Sequence, residues 1–359
     1  MSVLGKINHF RRGAMRNLTK NIGKPKTERN IILVDKTEIK RVLICRPNGR
    51  LGNLLLISPL IQEVAEVFPN CKIDLFVKGT LAPIIFENYK VVNKTIHLPK
   101  KPFKNLLEYM KVWISIKQEP YDMAINVDQN SSSGRLAVKF SNAKYKFYGD
   151  LEDQSSEPKN DYDHIAKYPV YNFRNYLTKL GLPKSNKIIP PLDLKLTPSE
   201  FDNGKKILDP IIDPSKRTIC LFTYATGSKC FSEEWWENFY SKLLTEYENY
   251  NIIEILPIEN VSQIGFKAPT YYSKDIREMG SVLANVDLFI GADSGIMHLA
   301  SSVKTPTVGL FSISDIKKYE PYDSGSIGID TQNCSQSEYF KIINSILANG
   351  KLKTYSKAV

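Results

Sequence analysis

The chain alternates short apolar runs with longer segments of helical spacing. Residues 41–46 (RVLICR), an apolar run between two arginines, read as the first core strand, and Leu54 through Val67 reads as a helix that stops near Pro69. Strand-like runs recur at KIDLFV (72–77), 95–98 and YDMAINV (121–127), with a helical segment over 105–117. The same logic restarts later. RTICLF (217–222) predicts a strand, Ser232 begins a helix carrying Trp235, Trp236, Phe239 and Leu243, and 251–257 is a further strand. A helix over 275–285 leads into VDLFIGADSGIMHLASSVKTPTVGLF (286–311), read as strand, polar turn, helix and strand. Short apolar runs alternating with amphipathic segments signal βαβ units and a parallel sheet. The expected fold is therefore α/β with two Rossmann-like parallel-sheet domains.

Prolines 183, 190, 191 and 198 mark the best linker. The expected organisation is an extension at 1–30, a first domain at 38–182, a linker at 183–198 and a second domain at 199–350. Gln336 to Leu347 reads as a last helix, and the acidic stretch 150–163 as an exposed loop.

Charge changes the picture only at the N-terminus. The net charge is +11, and residues 1–30 supply +7 of it, from eight cations against Glu28. Leu4, Ile7, Met15, Leu18 and Ile22 recur near a helical period among those cations. Such a segment either lies on an anionic membrane surface or packs as a basic extension. It offers one aromatic, Phe10, and no recognised nucleic-acid module follows, so nucleic acid is not an expected partner. Five scattered cysteines without C-x-x-C spacing fit reduced thiols in a cytoplasmic protein rather than a disulfide frame or zinc site. No secretory signal or bilayer-length apolar run is visible.

Three turns that follow strands carry the candidate chemistry. In the first, Asn48-Gly49-Arg50-Leu51-Gly52-Asn53, the glycines allow close backbone approach to a ligand, yet the pattern is neither a dinucleotide fingerprint nor a Walker loop. The second, Thr223 to Lys229, offers hydroxyls such as Thr226 and a lysine to a diphosphate, and reads equally as a solvated loop. In the third, Ser294 is a helix N-cap and the N–H groups near Ser294 and Gly295 suit an anion. Asp293 suits sugar or ribose hydroxyls better than phosphate, and His298, one turn on, is either a ligand or a satisfied core residue.

Taken together, the turns resemble glycosyltransferase family 9, the lipopolysaccharide heptosyltransferases. Asp293-Ser294-Gly295, His298 and Ala300 match D-[ST]-G-x-x-H-x-A, and FTYATGSKCFSEEWW (222–236) resembles the phosphate-binding segment. RLGNLLLISPLIQEV (50–64) resembles R-x-G-D-x-x-L-x-x-P. The resemblance implies a GT-B fold with two domains facing across a cleft and inverting, metal-independent transfer without a cofactor. It further implies a nucleotide-sugar donor (ADP-heptose), a lipid-linked glycan acceptor, and a cytoplasmic protein at the inner face of the membrane. It assigns Lys229, Asp293, Ser294, Gly295 and His298 to the donor and Glu259 near the ribose, while Thr226 of the second turn and Gly52 of the first are further substrate-binding candidates on their own residue chemistry.

Asn53 stands where the family commonly has an aspartate base, and an amide oxygen is too weakly basic for that role. Asp128 is the foremost substitute, ahead of Asp161, Asp163 and His164. The alternatives are a non-catalytic GT-B protein that binds nucleotide sugar or glycan, and a nucleotide-sugar epimerase.

Overall fold

The runs RVLICR and RTICLF each become a strand at the heart of a parallel sheet. In the computed structural model, residues 22, 32–33, 35–99, 105–150 and 160–349 are described. The basic extension expected at 1–30 thus lies outside the described residues, apart from Ile22, whose carbonyl accepts from Arg135 Nη2. The chain divides into two compact units, Met1–Pro190 and Pro191–Val359.

The first unit runs β1 (Arg41–Cys45), α1 (Leu51–Leu55), α2 (Ser58–Val67), β2 (Lys72–Lys78), α3 (Leu81–Ile85), β3 (Val92–Leu98) and α4 (Leu106–Gln118). It continues with β4 (Met123–Asn126), α5 (Ser132–Phe140), β5 (Tyr145–Phe147) and α6 (Tyr168–Lys179). The strands pair in parallel in the order β3-β2-β1-β4-β5. A parallel strand covered on both faces has no polar side, which explains why β1 is buried from Val42 to Cys45. Leu43, Cys45, Phe76 and Ala124 pack with Ile116 of α4 and with Ala137 and Val138 of α5.

The helix expected over 54–67 is two helices. Pro59 lacks the N–H that would bond the Leu55 carbonyl, and Ser58 Oγ donates to that carbonyl instead, at 2.7 Å. Every residue from Leu54 to Ile57 is apolar, so periodicity gives no sign of the break.

A buried ion pair joins α2 to α6. Arg174 Nε and Nη2 each donate to Glu63 at 2.7 Å, a bidentate arrangement with both side chains almost wholly buried. Arg174→Met strands the Glu63 carboxylate away from water. It is expected to lower the stability of this unit by about 3 kcal/mol, read as the urea midpoint, and the Glu63→Leu/Arg174→Met pair to recover most of it.

The second unit runs α7 (Pro198–Leu208), β6 (Arg217–Phe222), α8 (Glu233–Glu246), β7 (Tyr250–Ile255), β8 (Thr270–Tyr271) and α9 (Ile276–Ala284). It closes with β9 (Leu288–Ala292), α10 (Gly295–Ser302), β10 (Thr307–Phe311), α11 (Ile316–Tyr319), β11 (Ile327–Asp330) and α12 (Gln336–Asn349). The order is β11-β10-β9-β6-β7-β8, again parallel. Ile219, Leu221, Leu288, Ile290, Val308 and Leu310 meet Trp236, Phe239 and Leu243 of α8 and Ile343 of α12. The strand expected of the run Val286–Ile290, with Gly291 opening the polar turn, lies two residues later, as β9 at Leu288–Ala292. Gly291 is consequently a strand residue rather than part of the turn; a Cβ there would lie 2.8 Å from the Phe289 ring.

Candidate functional site

In an open parallel sheet, ligands bind beyond the carboxyl ends of the strands, where the strand order reverses. Each unit has such a point. In the second unit β6 sits between β7 and β9, so the turns after β6 and β9 adjoin. In the first, β1 sits between β2 and β4, so the turns after β1 and β4 adjoin. Lys229, Asp293 and Ser294 follow β6 and β9, and Asn53 and Asp128 follow β1 and β4, so these candidates fall at the two points.

In the second unit the turn after β6 closes as a single 3-10 turn, Gly227–Lys229, which Thr226 precedes in extended conformation. Gly227 adopts φ +68°, a region in which a side chain would be strained. This geometry brings Lys229 across to the neighbouring strand, and its Nζ pairs with Asp293 Oδ2 at 2.5 Å although 64 residues separate them. The ammonium also lies 5.6 Å from the centre of the Tyr319 ring, within cation–π range. Asp293 is only 6% exposed, and its N–H continues the sheet ladder to the Leu310 carbonyl at 3.1 Å. Ser294 caps α10, its Oγ accepting from the Met297 N–H at 3.3 Å. Helix geometry leaves the N–H groups of Gly295 and Ile296 without intrahelical acceptors. His298 is buried one turn further in. Lys229, Asp293, Ser294, Gly295 and His298 therefore lie together, while Thr226 is exposed at the lip of its turn. Glu259 is exposed on the turn after β7.

Beneath these turns lies a carboxylate that sequence reasoning missed. Glu254, near the end of β7, is fully buried and accepts from Thr223 Oγ1 at 2.5 Å and Ser262 Oγ at 2.6 Å. Both hydroxyls accept backbone N–H bonds, Thr223 from Gln263 and Ser262 from Ile264 and Phe266. The acid thus ties the loop after β6 to the loop after β7. Burial raises its pKa above the ordinary 4.5, with the two hydroxyl bonds opposing that rise. A raised folded-state pKa means that the neutral acid favours folding below about pH 4.5 and that this contribution is lost as pH climbs through the folded value. Urea unfolding of the native protein from pH 4 to pH 7 is expected to show that loss. Glu254→Gln, which cannot titrate, is expected to show a flatter profile.

In the first unit, Arg46 follows β1 and is 5% exposed. Its Nη1 donates to Asp128 Oδ2 at 2.7 Å and its Nη2 to Asn53 Oδ1 at 3.1 Å, while Nε is buried with no acceptor among the described residues. Asn53 lies in α1 beside the buried Gly52, and Asp128 follows β4 with about a quarter of its side chain exposed. Asp128 Oδ1 accepts from the Asn130 N–H at 2.9 Å, so both carboxylate oxygens are engaged. The guanidinium fixes the Asn53 amide with its oxygen inward, which leaves the NH2 group as the donor available to a ligand. The other acids considered have local roles. Asp161 accepts from Lys167 and Tyr171, His164 is buried in the turn before α6, and Asp163 is exposed.

Residues 273–346 match the model of glycosyltransferase family 9 (heptosyltransferase), a span that includes Asp293 to His298. Over 298 residues the chain is 24% identical to lipopolysaccharide heptosyltransferase 3 of Escherichia coli, covering 77% of this chain and 85% of that protein. The crystal structure of a family 9 glycosyl transferase from Veillonella parvula superposes with a TM-score of 0.70 at 15% identity, covering 89% of this chain and 99% of that one. The structure of the Escherichia coli ADP-heptose lps heptosyltransferase II gives 0.61 at 16% identity, covering 86% and 99%. These likenesses match the two parallel-sheet α/β units to the GT-B type, and by sequence and fold together the chain is glycosyltransferase family 9-like, similar to the heptosyltransferases.

Proposed function

We propose that the protein transfers a heptosyl group from ADP-heptose to a lipid-linked glycan such as a lipopolysaccharide core, with inversion and without a metal. The observation that carries this reading is the Lys229–Asp293 pair at the start of α10, at the strand-order reversal and inside the match to family 9. An ammonium has three donor directions, so Lys229 can hold Asp293 and a donor phosphate together. The N–H groups of Gly295 and Ile296 face the same anion, and Asp293 accepts from sugar or ribose hydroxyls. His298 backs the turn, with Thr226 and Glu259 at the periphery toward the nucleoside.

In the transfer, the acceptor oxygen attacks the anomeric carbon as the bond from that carbon to the phosphate oxygen breaks. ADP leaves with the electron pair. Lys229 and the helix N-terminus stabilise the charge that develops on it. The acceptor hydroxyl's proton passes to a base, for which Asp128 is the candidate, a carboxylate that Arg46 bridges to Asn53. Asn53 and Gly52 orient the acceptor. A cytoplasmic location, peripheral at the inner membrane face, follows from such an acceptor.

The test is ADP release by the purified protein with ADP-heptose and a heptose-deficient core acceptor. Release that requires acceptor, and falls in Asp128→Asn, supports transfer. ADP binding with no release supports the second reading, a non-catalytic nucleotide-sugar or glycan-binding protein, which Asn53 favours. Conversion of donor without acceptor points to an epimerase and rejects both.

A further inference from the structure

Helix α4 carries more apolar surface than the unit beneath it covers. One side packs inward through Tyr109, Val112, Trp113 and Ile116, at the helical spacing expected of a core face. The opposite side repeats the spacing with Leu107, Met110 and Ile114, which are 76%, 51% and 48% exposed, and Leu106 extends it at 57%. The stripe continues onto α5. Trp113, at its edge, lies 5.8 Å from the ring of Phe140, which is itself 51% exposed. Isolated exposed apolar residues are ordinary, but a contiguous stripe marks a surface that meets something.

The charges around the stripe indicate what it meets. At about 100° per residue, Lys111 falls on one flank of the Leu107–Ile114 line, and Lys117 lies beyond Met110 at its carboxyl end. Both lysines are exposed, and exposed Lys139 adjoins Phe140. The helix's acid, Glu108, lies on the side away from the stripe and accepts from Asn105. Pairing α4 with a second copy of itself would bring like charges together with no acid on the stripe to answer them. A bilayer containing anionic phospholipid answers both features. The apolar side chains enter the acyl boundary while the lysine stems reach back to the phosphates.

We propose that the exposed face of α4, with Phe140, docks the first unit on an anionic phospholipid bilayer. This contact belongs to the folded unit and is separate from residues 1–30.

The test is flotation of the full-length protein with vesicles of phosphatidylethanolamine containing phosphatidylglycerol, against vesicles of phosphatidylcholine alone. The wild type is expected to float with the anionic vesicles, with a blue shift of Trp113 fluorescence. Leu107→Gln/Met110→Gln/Ile114→Gln is expected to bind about tenfold more weakly, at exposed positions that leave the core intact. Lys111→Glu/Lys117→Glu is expected to lose a similar factor at low salt and less at high salt. Circular dichroism of both variants confirms folding. Unchanged flotation of both variants, or no preference of the wild type for the anionic vesicles, overturns the proposal. So does a wild-type dimer that the glutamine variant converts to monomer without altering flotation.

Discussion

Lys229→Ala is expected to lower kcat/KM for the nucleotide-sugar donor by about 10²–10³. On the proposed transfer the loss divides between a higher donor KM and a lower kcat, because there the ammonium would meet a phosphate already charged in the ground state and more so as ADP departs. ADP affinity, measured by calorimetry, should fall as well, since the phosphates persist in the product. The structural cost is smaller. Removing the lysine leaves Asp293 buried without its cation, but the lysine side chain is 37% exposed, so water reaches the vacated position and about 1 kcal/mol is expected in urea unfolding. An activity loss far exceeding that stability loss would place Lys229 on the donor. Unchanged donor KM and kcat would confine it to an ion pair that holds two turns together. Lys229→Arg separates charge from shape: it keeps the cation, yet the planar guanidinium must fit between Asp293 and Tyr319, and an intermediate rate is expected.

What could be read from the chain depended on whether the signal was local. Central strands were legible because burial on both faces leaves no polar residues in the run, as in RTICLF, whose predicted limits match β6. Helix α10 was legible through the Ser294 cap and the glycine behind it. Helix α5 was not. It begins in Ser131-Ser132-Ser133, which reads as loop, and Ser131 in fact caps it by accepting from the Gly134 N–H. Strands β8 and β11 are short and owe their assignment to pairing with neighbours already in place.

The sites divide along the same line. Asp293-Ser294-Gly295 is a contiguous motif and needs no tertiary knowledge. Arg46 was passed over as the last residue of a strand run, because its significance arises when β4 lands beside β1 and carries Asp128, 82 residues away, to its guanidinium. Glu254 left a trace that could have been followed, a lone acid inside the apolar strand IIEIL. Its function as a tie between two loops depends on Thr223 and Ser262, which no spacing rule links to it.

Asn53→Asp is expected to raise the rate of heptosyl transfer by about 10²–10⁴ if proton removal from the acceptor limits turnover, the range a positioned general base contributes. The structure is prepared for the change. Arg46 Nη2 already donates to the Asn53 side-chain oxygen, and an introduced carboxylate would accept the same bond in charge-assisted form. The guanidinium would then serve two carboxylates, the new one through Nη2 and Asp128 through Nη1, with no repacking of α1. Asp128 as it stands is a constrained base. One oxygen is held by Arg46 and the other by the Asn130 N–H, so a proton must be taken by a lone pair that those bonds leave open. The comparison that decides its role is Asn53→Asp with and without Asp128→Asn. If Asp128 is the native base, Asp128→Asn abolishes wild-type turnover but leaves the Asn53→Asp variant active through its new carboxylate. If Asp128 only holds Arg46 in place, its loss weakens both proteins alike, and Arg46→Met, which releases both partners at once, reproduces the defect. Turnover absent from the wild type and present in Asn53→Asp would identify a site built for transfer in which the amide has replaced the base, and would favour the binding reading for the native chain.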